Sequence, residues 1–554
     1  MRGAGVIDPS VVSCGVASRG SEAPNMRFLA MCLGVSAAMA CGGPAPLDGG
    51  DAGRVADADD VRATADVLDA NVAPLDVAVD APLPVDPSPS LAGDLDLTDV
   101  SLFQSVRVGL VTMGAAAATR NAPVVAGRAA VVRAYVNPRP AFVPRDLTAR
   151  LVISRAGVAD VALTDTRRIT GASSDSSAAS AFAFDVAAEL VAVGARFSVA
   201  VLDPGGAPAA IGTPASARAP RDGATLELGA LTDAGGLELV LVPLRYDTDG
   251  SGRMPDTSDP QLARIRALLT SLYPLRDVNL VVHAPVGWNG SLTFTGNVNF
   301  SAVNQLLVDL RQSDMATSRQ YYYGLVAPAA DFAAYCGRSC VTGQSYVVAT
   351  AADASTRAGS GVGWGTEDSA WTLAHEVGHE LGRSHAPCGA GGADPSYPYS
   401  GGFDGVWGYD RRSATFLPPQ STYDFMGYCD PTWISDYTYA AIFQRVREVN
   451  GAGAFRAGPE DTSLIEPTPY RFVRVPSSGD ARWERAVSLR LPARGVPDSF
   501  RFLDARGRVL GVGLGRSIQE SDAAPGERLY LVSVAPAGTA AIEIVPEGRS
   551  VAVR

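Results

Sequence analysis

The residues best suited to chemistry lie in one run of eleven, His375-Glu376-Val377-Gly378-His379-Glu380-Leu381-Gly382-Arg383-Ser384-His385, which holds three of the chain's four histidines. In a helix, residues four apart share a face, so His375 and His379 can point at one ion. Glu376, beside the first of them, can take a proton from a water polarised by that ion. Gly382 tolerates backbone angles that other residues resist. It can end the helix and turn the chain so that His385 returns as a third ligand. Three protein ligands with a fourth position open describe a catalytic zinc (Zn2+) site rather than a structural one. A bare HExxH arises by accident in helices. The extended HExxHxxGxxH, with its glycine and third histidine in register, is far more specific.

A second element follows at Ser421-Thr422-Tyr423-Asp424-Phe425-Met426-Gly427-Tyr428-Cys429. Together the two runs resemble the metzincin-type zinc metalloproteases, in which a methionine turn floors the metal site. The resemblance implies that Met426 is that floor. It also places Tyr428 at the offset where the astacin and serralysin branches carry a tyrosine able to approach zinc or stabilise a tetrahedral intermediate. Alone, Met426 reads as ordinary core packing and Tyr428 as a packed tyrosine with its hydroxyl at the surface. Ala386 and Pro387 follow the third histidine, matching neither the aspartate of adamalysins nor the glutamate of astacins, so the branch stays open. The run from Met426 to Tyr437 resembles bacterial secreted or lipoprotein metalloproteases related to the mucin-cleaving group. That likeness spans roughly residues 236–450.

The elements that must position these residues can be read from hydrophobic periodicity. Strands are expected at 237–246, 278–283 and 321–326, with an edge strand at 345–350. Helices are expected at about 260–272 and 303–311, at 367–381 with Asp368 and Ser369 as start signals, and at 436–449 after the methionine turn. Edge strands bind extended peptides by strand addition, which makes 345–350 the expected substrate rail. His283 alternates with apolar residues and reads as structural. Asp247, Asp249 and Ser251, with Gly250 between, begin like a calcium (Ca2+) loop, but position twelve is Ser258 rather than a bidentate glutamate. A solvated turn is the expectation there, with calcium as the minor alternative.

Short alternating runs separated by Pro, Gly and Ser at 97–225, and again at 460–554, read as antiparallel β-sandwich-like domains. The first could be an accessory binding domain or a prodomain over the active site. No cysteine lies in it, which excludes cysteine-switch latency. The second could serve substrate or surface attachment. The expected fold is therefore an α+β zincin, metzincin-like catalytic domain at 236–450 flanked by two β-sandwich-like domains.

The N-terminal part carries address signals. From Met26 one basic residue, a short apolar run and small residues lead to Cys41, resembling a signal peptide at 26–40 with a bacterial lipobox and Cys41 as the lipidated residue. The competing reading is an ordinary signal peptide with an incidental cysteine. The apolar run is too short to span a bilayer. Residues 1–25 read as an upstream extension. Residues 41–96 read as a disordered tether, with ten aspartates against two arginines between Asp48 and Asp86. That stretch accounts for most of the net charge of -12, so the remainder is only mildly acidic, and no basic patch points to nucleic acid. Of seven cysteines, Cys14 and Cys32 would leave with the leader and Cys41 would carry lipid. An even four remain for an oxidising compartment. A bridge between Cys388 and Cys429 would tie the zinc motif to the methionine turn, and one between Cys336 and Cys340 would staple a small loop. A second metal site on these cysteines would lack both histidines and CxxC spacing.

These readings converge on an exported, monomeric zinc endopeptidase of extracellular proteins or glycoproteins. It would touch the membrane through a lipid anchor only, at the outer membrane or cell surface, or be secreted. The alternative is a non-catalytic glycoprotein-binding adhesin with a metalloprotease-like domain. The intact Glu376 argues against it, because ligands alone could hold zinc without that base.

Overall fold

The computed structural model describes residues 90–205, 214–290, 298–337, 340–451, 466–490, 498–523 and 525–554. Cys41 and the leader fall outside them. A mostly parallel sheet carries the middle of the chain. Leu237–Tyr246 pairs in parallel with Val278–Val282, with Val286–Trp288 and with Gln320–Val326, and the last pairs in parallel with Ala358–Val362. Gly343–Ser345 closes the far side as an antiparallel edge strand. Leu237–Tyr246 is a near-continuous apolar run, as a strand buried on both faces requires.

Alternation along these strands separates two cores. Leu239, Leu241, Tyr321, Tyr323 and Leu325 face one way, into a core shared with Asp259–Leu272 and the helix Glu367–Glu380. Val240, Val242, Leu244, Tyr322 and Val326 face the other way, toward the helix Phe300–Ser313. The flanking β regions extend these same cores. Two antiparallel sheets, built from strands between Ser90 and Glu227, place Leu102, Val108 and Phe197 in the first core. A seven-stranded antiparallel sheet from Thr468 onward places Phe472, Val487, Leu489, Leu529 and Leu531 in the second. All the described residues fall within one compact unit.

Ala92 and Leu95, expected in the tether, are fully buried, and Leu95–Phe103 pairs with Ala130–Pro138. A leucine and valine alternation at 95–102 supplies the apolar face that the preceding aspartate-rich stretch lacks. One strand was not expected, and two further expectations shift. The strand Ala358–Val362, sequence AGSGV, carries too little apolar bulk to stand out in the sequence. Its glycines are there for close approach: a Cβ on Gly359 would sit 2.9 Å from a Glu380 carboxylate oxygen, and one on Gly361 would sit 2.9 Å from the Thr342 carbonyl. The edge strand is Gly343–Ser345 rather than 345–350. The helix Glu367–Glu380 starts from Thr366, whose hydroxyl accepts a hydrogen bond from the Ser369 amide at 3.3 Å. Glu367 and Asp368 then fill the first turn, where negative charge suits the helix dipole. No described helix is long and apolar enough to cross a membrane.

Candidate metal centre

His375 and His379 lie one turn apart on Glu367–Glu380, and Gly382 ends that helix at φ +82°. The Gly382 amide donates to the His379 carbonyl at 2.8 Å and the Arg383 amide to the Gly378 carbonyl at 3.0 Å. This is a Schellman termination, which favours glycine at the left-handed position. The reversed chain returns His385 to the other two histidines. Arg383 holds the returning limb through Asp394 at 3.2 Å, and Tyr437 donates to the same carboxylate at 2.9 Å.

The three rings converge through Nε2. The His379 Nε2 lies 3.1 Å from that of His375 and 3.2 Å from that of His385. Each Nδ1 meets a backbone carbonyl: Phe425 at 2.7 Å, Arg383 at 2.6 Å and Gly391 at 2.8 Å. A carbonyl can only accept, so each Nδ1 carries the hydrogen and each Nε2 presents a lone pair. Three lone pairs facing one another would repel unless a cation sits among them. Ligands of a tetrahedral zinc with Zn–N of about 2.0–2.1 Å stand about 3.3 Å apart, close to the two spacings from His379, and all three ligand atoms lie within 4.8 Å of one another. Burial holds His375 down at about 4, with the His385 charge adding to the effect. Burial and the two neighbouring rings hold His379 well below its usual range. Both are therefore neutral at pH 7, as ligation requires. Among the described residues, these histidines form the one cluster suited to a metal.

Glu376 is 3% exposed beside them, against Gly343 of the edge strand, where a Cβ would come within 2.8 Å of its carboxylate. Burial raises its pKa well above the usual carboxylate value, and the Asp522 charge raises it further, against the Ser345 and Ser521 hydroxyls. Its place beside the three histidines suits a group that takes a proton from a water and returns it.

On the same helix, a Cβ on Gly378 would run into the sulfur of Met426, which is 1% exposed. The turn is organised by Asp424, whose buried carboxylate accepts from the Met426 amide at 2.9 Å and the Ser435 amide at 3.0 Å. The Ala386 amide donates to the Met426 carbonyl at 3.0 Å, and the Tyr428 amide to the Cys388 carbonyl at 2.7 Å. Disulfides join Cys388 to Cys429 and Cys336 to Cys340. The Tyr428 hydroxyl lies 3.2 Å from the His385 Nε2 and donates to Asp522 at 2.6 Å.

The structure gathers His375, His379, His385, Glu376, Met426, Tyr428 and the bridge of Cys388 and Cys429 at one place. The calcium candidates are not gathered into a cation site. Asp247 is taken by Arg245 at 2.9 Å and Asp249 by Arg253 at 2.5 Å, in a turn through Gly250 at φ +73°. Calcium at Asp247, Asp249 and Ser251 is therefore unsupported, because arginine already neutralises both carboxylates. His283 lies outside the cluster and faces Asp314 at 3.3 Å. Sequence reasoning missed Asp522 and Ser521, for which no local signal exists. It also missed the role of Asp424, which its place two residues before Met426 could have flagged.

Residues 301–429 match the model of a peptidase family, Peptidase M66. The matched span includes the edge strand, the histidine run and Met426. It supports a metallopeptidase activity in general. No curated protein matches the chain.

Proposed function

Taking metallopeptidase activity as the premise, we propose that the chain is a zinc endopeptidase of metzincin type, with an α+β zincin fold between its flanking β regions. Three lone-pair-bearing Nε2 atoms facing one another beside a buried, high-pKa glutamate are the observation that carries this reading. A zinc ion held by His375, His379 and His385 would supply Lewis acidity, lowering the pKa of a water toward neutral and polarising a peptide carbonyl. Glu376 takes the proton of the attacking water and returns it to the leaving amine. Tyr428 can donate to the developing oxyanion from its place beside His385. Gly343–Ser345 is the edge along which an extended substrate would bind. The substrate class is extracellular protein or glycoprotein, and the address is the cell surface through lipid on Cys41 or the medium.

The test compares the full chain with Glu376→Gln on a mixture of ordinary proteins and mucin-type glycoproteins, with new peptide ends identified by mass spectrometry and bound zinc measured in both. Zinc-dependent ends should fall by about 10²–10⁴-fold in the variant, the usual worth of a general base. Equal cleavage by both zinc-loaded proteins would sink the assigned role of Glu376.

A further inference from the structure

The residues joining the strands Val509–Ile518 and Arg528–Ser533 of the C-terminal sheet do not simply turn in solvent. They first run along the outer side of the edge strand. The Ser521 amide donates to the Ser345 carbonyl at 2.9 Å, and the Val347 amide to the Gln519 carbonyl at 2.9 Å. The Ser345 amide reaches the Ser521 hydroxyl at 3.2 Å, and Tyr346 stands opposite Glu520 in antiparallel register. These are the main-chain groups that an extended peptide would use on this edge.

The segment is anchored from behind. Glu520 is 5% exposed, bonds to Ser301, and pairs with Arg474 at 2.6 Å. Its next residues then enter the metal centre. Asp522 accepts the Tyr428 hydroxyl at 2.6 Å, and its Oδ1 lies 3.9 Å from the His385 Nε2. Ligands of a tetrahedral ion stand about 3.3 Å apart. The carboxylate lies somewhat beyond that spacing from the one histidine it faces, so a small side-chain movement is needed to bring it to the fourth position of the three histidines' ion. Carboxylate oxygen is also an ordinary zinc ligand. Backbone on the rail and a carboxylate at the metal in one short segment match the two demands that a bound substrate makes.

We propose that residues 519–522 are a built-in blocker of the cleft: the segment occupies the edge strand in place of substrate, and Asp522 takes the metal's fourth position. The inference rests on the metallopeptidase reading. The fold described here is then the closed form. Opening it requires breaking the main-chain bonds to Ser345 and Val347 and the Asp522 contact, while the anchor of Glu520 and Arg474 can stay in place.

The test loads the full chain, Asp522→Ala, Asp522→Asn and Ser521→Pro with Co2+. It reads the visible absorption of the bound ion and the affinity for acetohydroxamate, a small metal-binding probe that needs no peptide rail. Asp522 is a quarter exposed, and Asp522→Asn keeps an acceptor for Tyr428, so a folded variant is available. In Asp522→Ala the Co2+ spectrum should change, and acetohydroxamate should bind at least about tenfold more tightly, as expected if about nine-tenths of the chains are closed. Asp522→Asn should fall between it and the unsubstituted chain. Ser521→Pro, which lacks the amide donated to Ser345, should raise peptide cleavage. Unchanged spectrum and affinity in a Co2+-loaded Asp522→Ala chain would overturn the blocker while leaving the metal centre standing. Weaker acetohydroxamate binding in that variant would also overturn it, by making Asp522 part of the working site. Failure of every chain to bind Co2+ would overturn the metallopeptidase reading itself.

Discussion

The N-terminal and C-terminal β regions each dock on a helix beside the central sheet around a buried arginine, but with opposite chemistry. Arg128, in the N-terminal region, donates to the carbonyls of Thr270 at 2.7 Å, Ser271 at 2.9 Å and Tyr273 at 2.7 Å. Thr270 and Ser271 lie in the last turn of the helix Asp259–Leu272 and Tyr273 caps it, so these carbonyls stand at the negative end of its dipole. Arg474, in the C-terminal sheet, instead gathers carboxylates of its own region, Glu484 at 2.7 Å, Glu520 at 2.6 Å and Glu527 at 2.7 Å, and Ser301 and Gln305 of the helix Phe300–Ser313 donate to Glu520 and Glu484. One dock is made to neutral groups that do not titrate in the ordinary range, the other through carboxylates that do. The first fixes the N-terminal sheets onto the same core as the active helix. The second holds a sheet whose connecting segment reaches the metal centre. The difference teaches that a permanent joint and an acid-sensitive one can be built around the same residue type.

The largest expected effect breaks the permanent joint. Arg128→Met should lower the free energy of global unfolding by about 2–4 kcal/mol, because the Thr270 and Gln104 carbonyls lose their donor at about 1–3 kcal/mol each, while the Ser271 and Tyr273 carbonyls keep the Ser105 hydroxyl and the Leu275 amide. Denaturant unfolding of the full chain measures it. A loss below about 1 kcal/mol would mean that the carbonyls find other partners, and the contrast between the two docks would collapse.

Acid should separate the joints. Burial pushes Glu484 upward, but its hydrogen bonds to Arg474, Gln305 and Arg482 outweigh that and hold its carboxyl below the usual range. A carboxyl depressed on folding adds stability above its unfolded pKa of 4.5, and that stability is lost as pH falls through the lower folded value. Hydrogen exchange from pH 6 to 3, corrected for intrinsic rates, should show Thr468–Val475 losing protection before Ala130–Pro138. Simultaneous loss would make the two docks equivalent.

The smallest effect sharpens which contacts matter at the C-terminal dock. Arg485 meets Asp309 at 2.7 Å, but the two side chains are 40% and 36% exposed. Solvent screening limits such a pair to about 0–1 kcal/mol. Arg485→Ala should leave both unfolding and the exchange of residues 528–533 nearly unchanged, and a clear loss of protection there would extend the dock to its rim.

Much of the metal centre was legible because its logic is local. The spacing of His375 and His379 is the helix repeat, Gly382 announces the reversal that recovers His385, and the even set of late cysteines pairs as the sequence implied. The apolar run at 237–246 forms a strand over that span because length and burial demand it. Ala358–Val362 was invisible for the opposite reason, since close approach to the active helix replaces the apolar side chains that periodicity detects. The edge at Gly343–Ser345 was placed two residues late, because the polar Gly343-Gln344 pair carries no apolar signal and the apolar residues after it belong to the contact with residues 519–521.

The sequence by itself determined which atoms can bind an ion, which carboxyl stands beside them and which backbone position must turn left-handed. Each of these follows from side-chain type and from separations of a few residues. Only the tertiary structure decided that Asp424 organises the turn around Met426, that arginines silence Asp247 and Asp249, and that Asp522 stands at the metal centre. Those outcomes depend on which surfaces bury together. The choice is made by the summed apolar area of two cores and by a few buried charges, and no local repeat encodes it.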